Sequence, residues 1–178
     1  VKDTPLLYSP YLVLPVKRQR QSGFLMPEYS TSSRSGTGIN LPYFWAINDE
    51  NDATLYTNVL SDRGLMLGTE FRTTPNLQTT GVFRLDWLED RITAETEAEE
   101  FDQFDDDGLI RPNETRYWLR GKLNGFLFTP EWKTKLDVDV VSDQDYLRDF
   151  DSGYSGFDSS RDLFLETFGR DIDDKDDL

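Results

Sequence analysis

Apolar and polar residues alternate along most of this chain with a period of two. In Phe83-Arg84-Leu85-Asp86-Trp87 the odd positions are apolar and the even ones charged. Between Tyr117 and Leu123 one face carries Tyr117, Leu119 and Leu123, and the other carries Trp118, Arg120 and Lys122. Leu136, Val138 and Val140 alternate with Asp137 and Asp139. A period of two is that of strands with one oily and one wet face. If the last two segments form a hairpin, Arg120 and Lys122 lie near Asp137 and Asp139. Read in order, the pattern predicts strands over 5–16, 23–33, 37–47, 52–60, 65–72, 80–90, 114–123, 134–141 and a last one over roughly 161–170.

The connections sort into two kinds. Those near 48–52, 73–78 and 125–131 are short, whereas 91–113 and 142–160 are long and rich in Asp, Gly and Ser. Short turns at one end and long loops at the other fit an outer-membrane barrel. A soluble β-sandwich also alternates but has no reason to send its long loops to one end, and both readings stand on pattern alone. The fold class expected is all-β, an antiparallel meander.

The arms 23–33 and 37–47 are joined by Arg34-Ser35-Gly36, and each carries a proline, Pro27 and Pro42. Proline has no N–H for a ladder and belongs at edges or bulges, so this hairpin is expected to pair poorly. The bland alternative is that both prolines merely mark edge positions. The patch Lys17-Arg18-Gln19-Arg20-Gln21 reads as a solvated turn after an edge strand.

Composition narrows the partners. The chain has 178 residues, 37% apolar and 13% aromatic, with a net charge of −15. That charge argues against nucleic acid, whose phosphates want a basic surface. With no cysteine and no histidine there is no disulfide, thiol chemistry or imidazole ligand. No run is apolar enough for a transmembrane helix. The start, Val-Lys-Asp, is neither an initiator methionine nor a signal peptide, and the chain is expected to be a piece of a longer protein.

Carboxylates abound, and a glycosidase would need two that face each other, yet no spacing singles out a pair. No enzyme activity and no cofactor or metal is therefore expected. The acidic run from Glu95 to Asp107 reads as a solvated loop, or as carboxylates that meet divalent cations at phosphorylated lipid. The Asp-rich tail lacks the glycine and closing glutamate of an EF-hand loop.

The runs YSPYLVLPV, SGFLMPEYSTSSRSG, LPYFWAINDENDATLY and RGLMLGTEFR, and later WLRGKLNG and VVSDQDYLRDFDSGY, resemble the LptD family of lipopolysaccharide-assembly proteins. The resemblance spans nearly all of residues 4–170 and is most specific over 8–56. It implies a periplasmic jellyroll followed by a transmembrane barrel of about 26 strands. Residues 1–22 would then be the last jellyroll strand and the hinge. Residues 23–178 would be about the first seven or eight barrel strands, at roughly ten residues each.

It further implies lipopolysaccharide transport and insertion into the outer leaflet through a lateral gate, in the outer membrane of a Gram-negative bacterium. The implied partners are lipopolysaccharide, the LptE lipoprotein, the periplasmic LptA bridge through the jellyroll, and outer-membrane lipid. Pro27 and Pro42 would lie at the gate, and Lys17, Arg18 and Arg20 would line lipopolysaccharide passage at the hinge. Arg84, Asp86, Arg120, Lys122, Asp137 and Asp139 would face water in the lumen. Another outer-membrane barrel, a porin or a TonB-dependent transporter, is the alternative.

Overall fold

A computed structural model describes residues 20–93, 109–126, 131–151, 153–154 and 156–171. The predicted strand over 5–16, the core of the acidic loop and the Asp-rich tail lie outside the described residues. Eight strands form one antiparallel sheet: β1 (Gly23–Phe24), β2 (Glu28–Ser32), β3 (Gly36–Ala46), β4 (Asn51–Leu60), β5 (Gly64–Asn76), β6 (Thr79–Asp90), β7 (Thr115–Phe126) and β8 (Lys133–Val141). From β3 to β8 each strand pairs with the next in sequence, so the sheet is a meander, while β1 and β2 both pair with β3. β5 runs on through Pro75, at a register shift between Thr73 and Asn76, where a loose connection was expected.

The strand reading holds from β3 to β8 and then fails. Where a loop and a last strand were expected, two helices follow, α1 (Gln144–Asp149) and α2 (Phe157–Phe168). The physical reasons are local. Asp143 caps α1, its side chain accepting from the Tyr146 N–H at 2.8 Å. Gly169 ends α2 in the left-handed conformation (φ 62°), which costs glycine little. Phe157, Ser160 and Phe164 fall on one buried stripe of α2, a helical period that the apolar run Leu163-Phe164-Leu165 disguises.

Both helices lie on one face of the sheet. Tyr146, Leu147 and Phe150, with Phe157 and Phe164, pack on Leu60, Met66, Val82, Leu88 and Trp118 to form the core. The Trp118 and Phe157 rings stack with centroids 6.0 Å apart. Among the described residues the opposite face carries no such cover.

Candidate functional site

The bare face is the first functional surface. Its positions are Ile39, Leu41, Tyr43 and Trp45 on β3, Leu55 and Val59 on β4, and Leu65, Leu67 and Phe71 on β5. It continues with Phe83, Leu85 and Trp87 on β6, Tyr117, Leu119 and Leu123 on β7, and Leu136, Val138 and Val140 on β8, all in register. Trp45 is 49% exposed, Val59 54% and Val140 47%, so large apolar side chains stand open across the whole width. Between Ile39 and Val140 the only charge on these rows is Glu89, at the end of β6. Exposed apolar surface this continuous marks contact with something equally apolar.

The helix-covered face gathers the charges. Arg84, Asp86, Arg120, Lys122, Asp137 and Asp139 all point to it, in facing pairs: Arg84 with Arg120, Lys122 with Asp137, Arg120 with Asp139. They were expected to face water, and for the central ones that is corrected. Asp86 is 2% exposed and Arg120 1%, because α2 and the chain leading to it lie over them. Arg120 donates to Asp86 Oδ2 at 2.5 Å and to Ser160 Oγ of α2 at 2.8 Å. Arg84 donates to Glu70 at 2.6 Å and to Ser160 Oγ at 3.2 Å. Asp139 takes the indole N–H of Trp118 at 2.6 Å instead of pairing with Arg120. Lys122 meets Asp137 at 3.0 Å, and Arg170, just past α2, reaches Asp137 and Asn124 there.

A second ionic cluster was not legible as such. Arg63 from the β4–β5 turn, Arg111 and Arg116 converge on Asp90, Asp143 and Asp149. Asp149 Oδ2 accepts from Arg63 at 2.9 Å and Arg116 at 2.7 Å, and its Oδ1 from Arg111 at 2.8 Å. Arg63 also meets Asp90 at 2.5 Å, and Arg116 meets Asp143 at 2.7 Å. Burial works to raise the Asp149 pKa, but the hydrogen bonds from Arg63 and Arg111 win and hold it below the ordinary carboxylate range. Tyr146 is pushed up, chiefly by burial and then by the Asp86 charge, so its phenol keeps its proton.

The run Ser142–Asp151 is therefore a clamp. Asp143 and Asp149 pin α1 to sheet arginines, while Tyr146 and Phe150 enter the core between them. Its signal in sequence was the Asp143 cap followed by apolar residues at helical spacing. These carboxylates are engaged by guanidinium groups, and among the described residues no group of three or more is placed to hold a metal ion.

The first strand is broken. β1 and β2 are two pieces of one edge, separated by Leu25-Met26-Pro27, with Phe24 opposite Tyr43 and Glu28 opposite Asn40. Residues 25–27 thus face only 41–42 of β3, which makes a bulge. Pro27 lies in this break and not inside a strand, a correction to the expected continuous arm. Pro42 remains in β3 directly across from it, and its carbonyl accepts from the Leu25 N–H at 2.9 Å. The amide nitrogen and carbonyl of a strand residue point to the same side, so the donor that Pro42 lacks is missing from the break. The β3–β4 ladder runs through Pro42 undisturbed.

Of the basic hinge residues, Lys17 and Arg18 lie outside the described residues. Arg20 is half-exposed and pairs with Asp52, its guanidinium 5.6 Å from the centre of the Phe44 ring.

A sequence profile described as "LptD protein" matches residues 1–118, and a second, described as "LPS transport system D", matches residues 114–171. The chain belongs to the LptD family. The two LptD matches meet at the start of β7, so the second takes in β7, β8 and both helices. An LPS-assembly protein LptD from Alkalilimnicola ehrlichii is 33% identical over 168 residues, 94% of this chain and 19% of that protein. The LptD of Sodalis glossinidius is 37% identical over 157 residues, 86% of this chain and 18% of its own. That of Bordetella pertussis reaches 55% over 71 residues, 40% of this chain and 9% of its own. The chain spans about a fifth of the length of the LptD relatives it matches.

Proposed function

We propose that this chain supplies the opening strands of the barrel of an LPS-assembly protein in the outer membrane of a Gram-negative bacterium. Counting β1 and β2 as one broken strand, it contributes seven strands, with residues 1–22 as the end of the jellyroll and the hinge. The observation that carries the reading is the bare face, apolar and open across every strand from β3 to β8. Such a face has no stable place in water, and strands of 9 to 13 residues suit a tilted crossing of a bilayer. The bare face meets lipid and the helix-covered face looks into the lumen.

The function is transport and placement of lipopolysaccharide, without chemistry on it. Lipopolysaccharide arrives over the LptA bridge through the jellyroll and passes the hinge, where Lys17, Arg18 and Arg20 suit a phosphorylated passenger. It leaves sideways at the edge broken by Pro27 and Pro42, which is one wall of the lateral gate. Acyl chains enter the membrane there while sugars pass through the lumen beside the LptE lipoprotein.

The test is depletion of the full-length protein from growing cells, followed by labelling of newly made lipopolysaccharide at the cell surface. New lipopolysaccharide should stop arriving and collect inside. Arrival at the undepleted rate overturns the function.

A further inference from the structure

We propose that Arg20 is a latch on the start of the first barrel strand, and that a phosphate group on the passenger opens it by taking the guanidinium from Asp52. The proposal rests on the lipopolysaccharide reading above and adds how the passenger acts on the edge by which it leaves. Few bonds hold this part of the chain. β1 has two residues, Gly23 and Phe24, paired with Phe44 and Tyr43 of β3. To either side, the Ala46 N–H donates to Ser22 Oγ at 2.9 Å and the Leu25 N–H to the Pro42 carbonyl at 2.9 Å. All these bonds go to β3, and beyond Leu25 the strand breaks. Arg20 reaches past β3 to Asp52 of β4, with its guanidinium 5.6 Å from the centre of the Phe44 ring. Phe44 and Asp52 stand on the rows of the helix-covered face, so the latch closes on the lumen side.

Exposure suits an exchange of partners. The Arg20 side chain is 48% exposed and that of Asp52 8%. An anion can therefore reach the cation without passing the carboxylate. Water screens the open side of the pair, which keeps the latch weak. A phosphate monoester carries about −1.5 to −2 charges at neutral pH, more than a carboxylate, and offers three acceptor oxygens. A guanidinium group grips it through two parallel hydrogen bonds. The passenger's phosphate is thus the stronger partner for Arg20.

Losing Arg20 would strand the covered Asp52 carboxylate, which is costly, unless a second cation stands ready. Arg72 on β5 is directly opposite Asp52. It turns instead to Glu70, donating at 2.6 Å, and Glu70 takes Arg84 as well, also at 2.6 Å. Glu70 thus holds two arginines where one would serve. The Arg72 side chain is 53% exposed, which gives it room to swing. When phosphate takes Arg20, Arg72 moves to Asp52 and Arg84 keeps Glu70. No buried carboxylate is left alone, and residues 20–25 keep only their short run of bonds to β3. The lower end of the gate strand is then loosest when a phosphorylated passenger is beside it.

The experiment uses the full-length protein with its natural partners in a neutral detergent, with a spin label on exposed Gln21 whose mobile fraction is read from the line shape. Lipopolysaccharide should raise that fraction several-fold. The same molecule stripped of its phosphates should not, nor should inorganic phosphate at equal concentration. Asp52→Asn should give the mobile label before any lipid is added, with no further rise on addition. Arg72→Gln removes the replacement cation, so the label should start immobile and need several-fold more lipopolysaccharide for release. This second variant leaves the latch itself intact and covers the case in which Asp52→Asn disturbs folding. An unmoved label, equal release by the stripped molecule, or parental release in Arg72→Gln each overturns the latch. Release by inorganic phosphate overturns the passenger as its trigger. Surface labelling after depletion reports separately on transport, so a protein that exports while its label ignores lipopolysaccharide refutes the latch alone.

Discussion

Leu25 donates its backbone N–H to the carbonyl of Pro42 at 2.9 Å, and Pro42 has no N–H to return. That one-sided bond sits inside the break between β1 and β2, with Pro27 at its far end. The two prolines therefore weaken one spot and not two separate strands, and the β3–β4 ladder is spared.

Replacing both prolines with alanine restores two donors at that spot. A net hydrogen bond is worth about 0.5–1.5 kcal/mol. About 1.4 kcal/mol is tenfold, so the open population at this edge should fall by about one to two powers of ten. In the full-length protein, Pro27→Ala with Pro42→Ala should slow arrival of lipopolysaccharide at the cell surface while the amount of folded barrel stays constant. Export at the parental rate with equal barrel levels would show that the prolines only mark an edge.

The two faces should respond differently to a charge. Leu119→Lys or Val138→Lys puts an ammonium group among the bare-face side chains and should cost about 2–4 kcal/mol near the bilayer midplane. Lys135→Gln, an exposed position on the other face, should fall within about 0.5 kcal/mol of the parent. Folding of the full-length protein into lipid vesicles measures both. Equal tolerance on the two faces sinks the lipid assignment.

Alternation made β3 to β8 and both faces readable, because a period of two ties every side chain to one side of the sheet. It put Arg120 and Lys122 opposite Asp139 and Asp137, and the register agrees. It could not say what covers that face. Arg120 turns to Asp86 and Ser160, because burial under α2 makes an enclosed partner worth more than the nearest one along the hairpin. The helices were hidden because α1 has only six residues and α2 carries apolar side chains on more than one side. The network of Arg63, Arg111 and Arg116 needs contacts spanning 26 to 86 positions of sequence, which no local pattern encodes.

Gly68 offers a test of the cover. A Cβ at this position would lie 2.0 Å from the Tyr154 hydroxyl and 2.6 Å from Asp86 Oδ1, so the glycine is what lets the chain between α1 and α2 lie against β5. Gly68→Val should push Tyr154 off Tyr56 and expose the segment to added protease, while the strands, which accept valine readily, remain paired. Cleavage near residues 151–156 at least several-fold faster than in the parent is expected. Unchanged cleavage would mean the segment is held from elsewhere.

The clamp on α1 should be acid-sensitive and indifferent to mild alkali. Asp149 has its pKa held below the ordinary carboxylate range, by arginine hydrogen bonds that outweigh its burial. A carboxylate depressed on folding contributes stability that is fully present above its unfolded pKa of about 3.9 and is lost as pH falls toward the folded value. Docking of α1 should therefore be flat from about pH 5 to pH 8 and weaken only below about pH 4. Asp149→Asn removes the charge at every pH and leaves Arg63, Arg111 and Arg116 short of one buried partner. Breaking such a buried ion pair typically costs about 3–5 kcal/mol. A spin label on exposed Arg148, with a second on the β2–β3 turn, would report the distance between α1 and the sheet in the full-length protein. The variant should show at pH 7 the longer distance that the parent reaches only in acid. A short distance in the variant at pH 7 would mean that Tyr146, Leu147 and Phe150 hold the helix through packing alone.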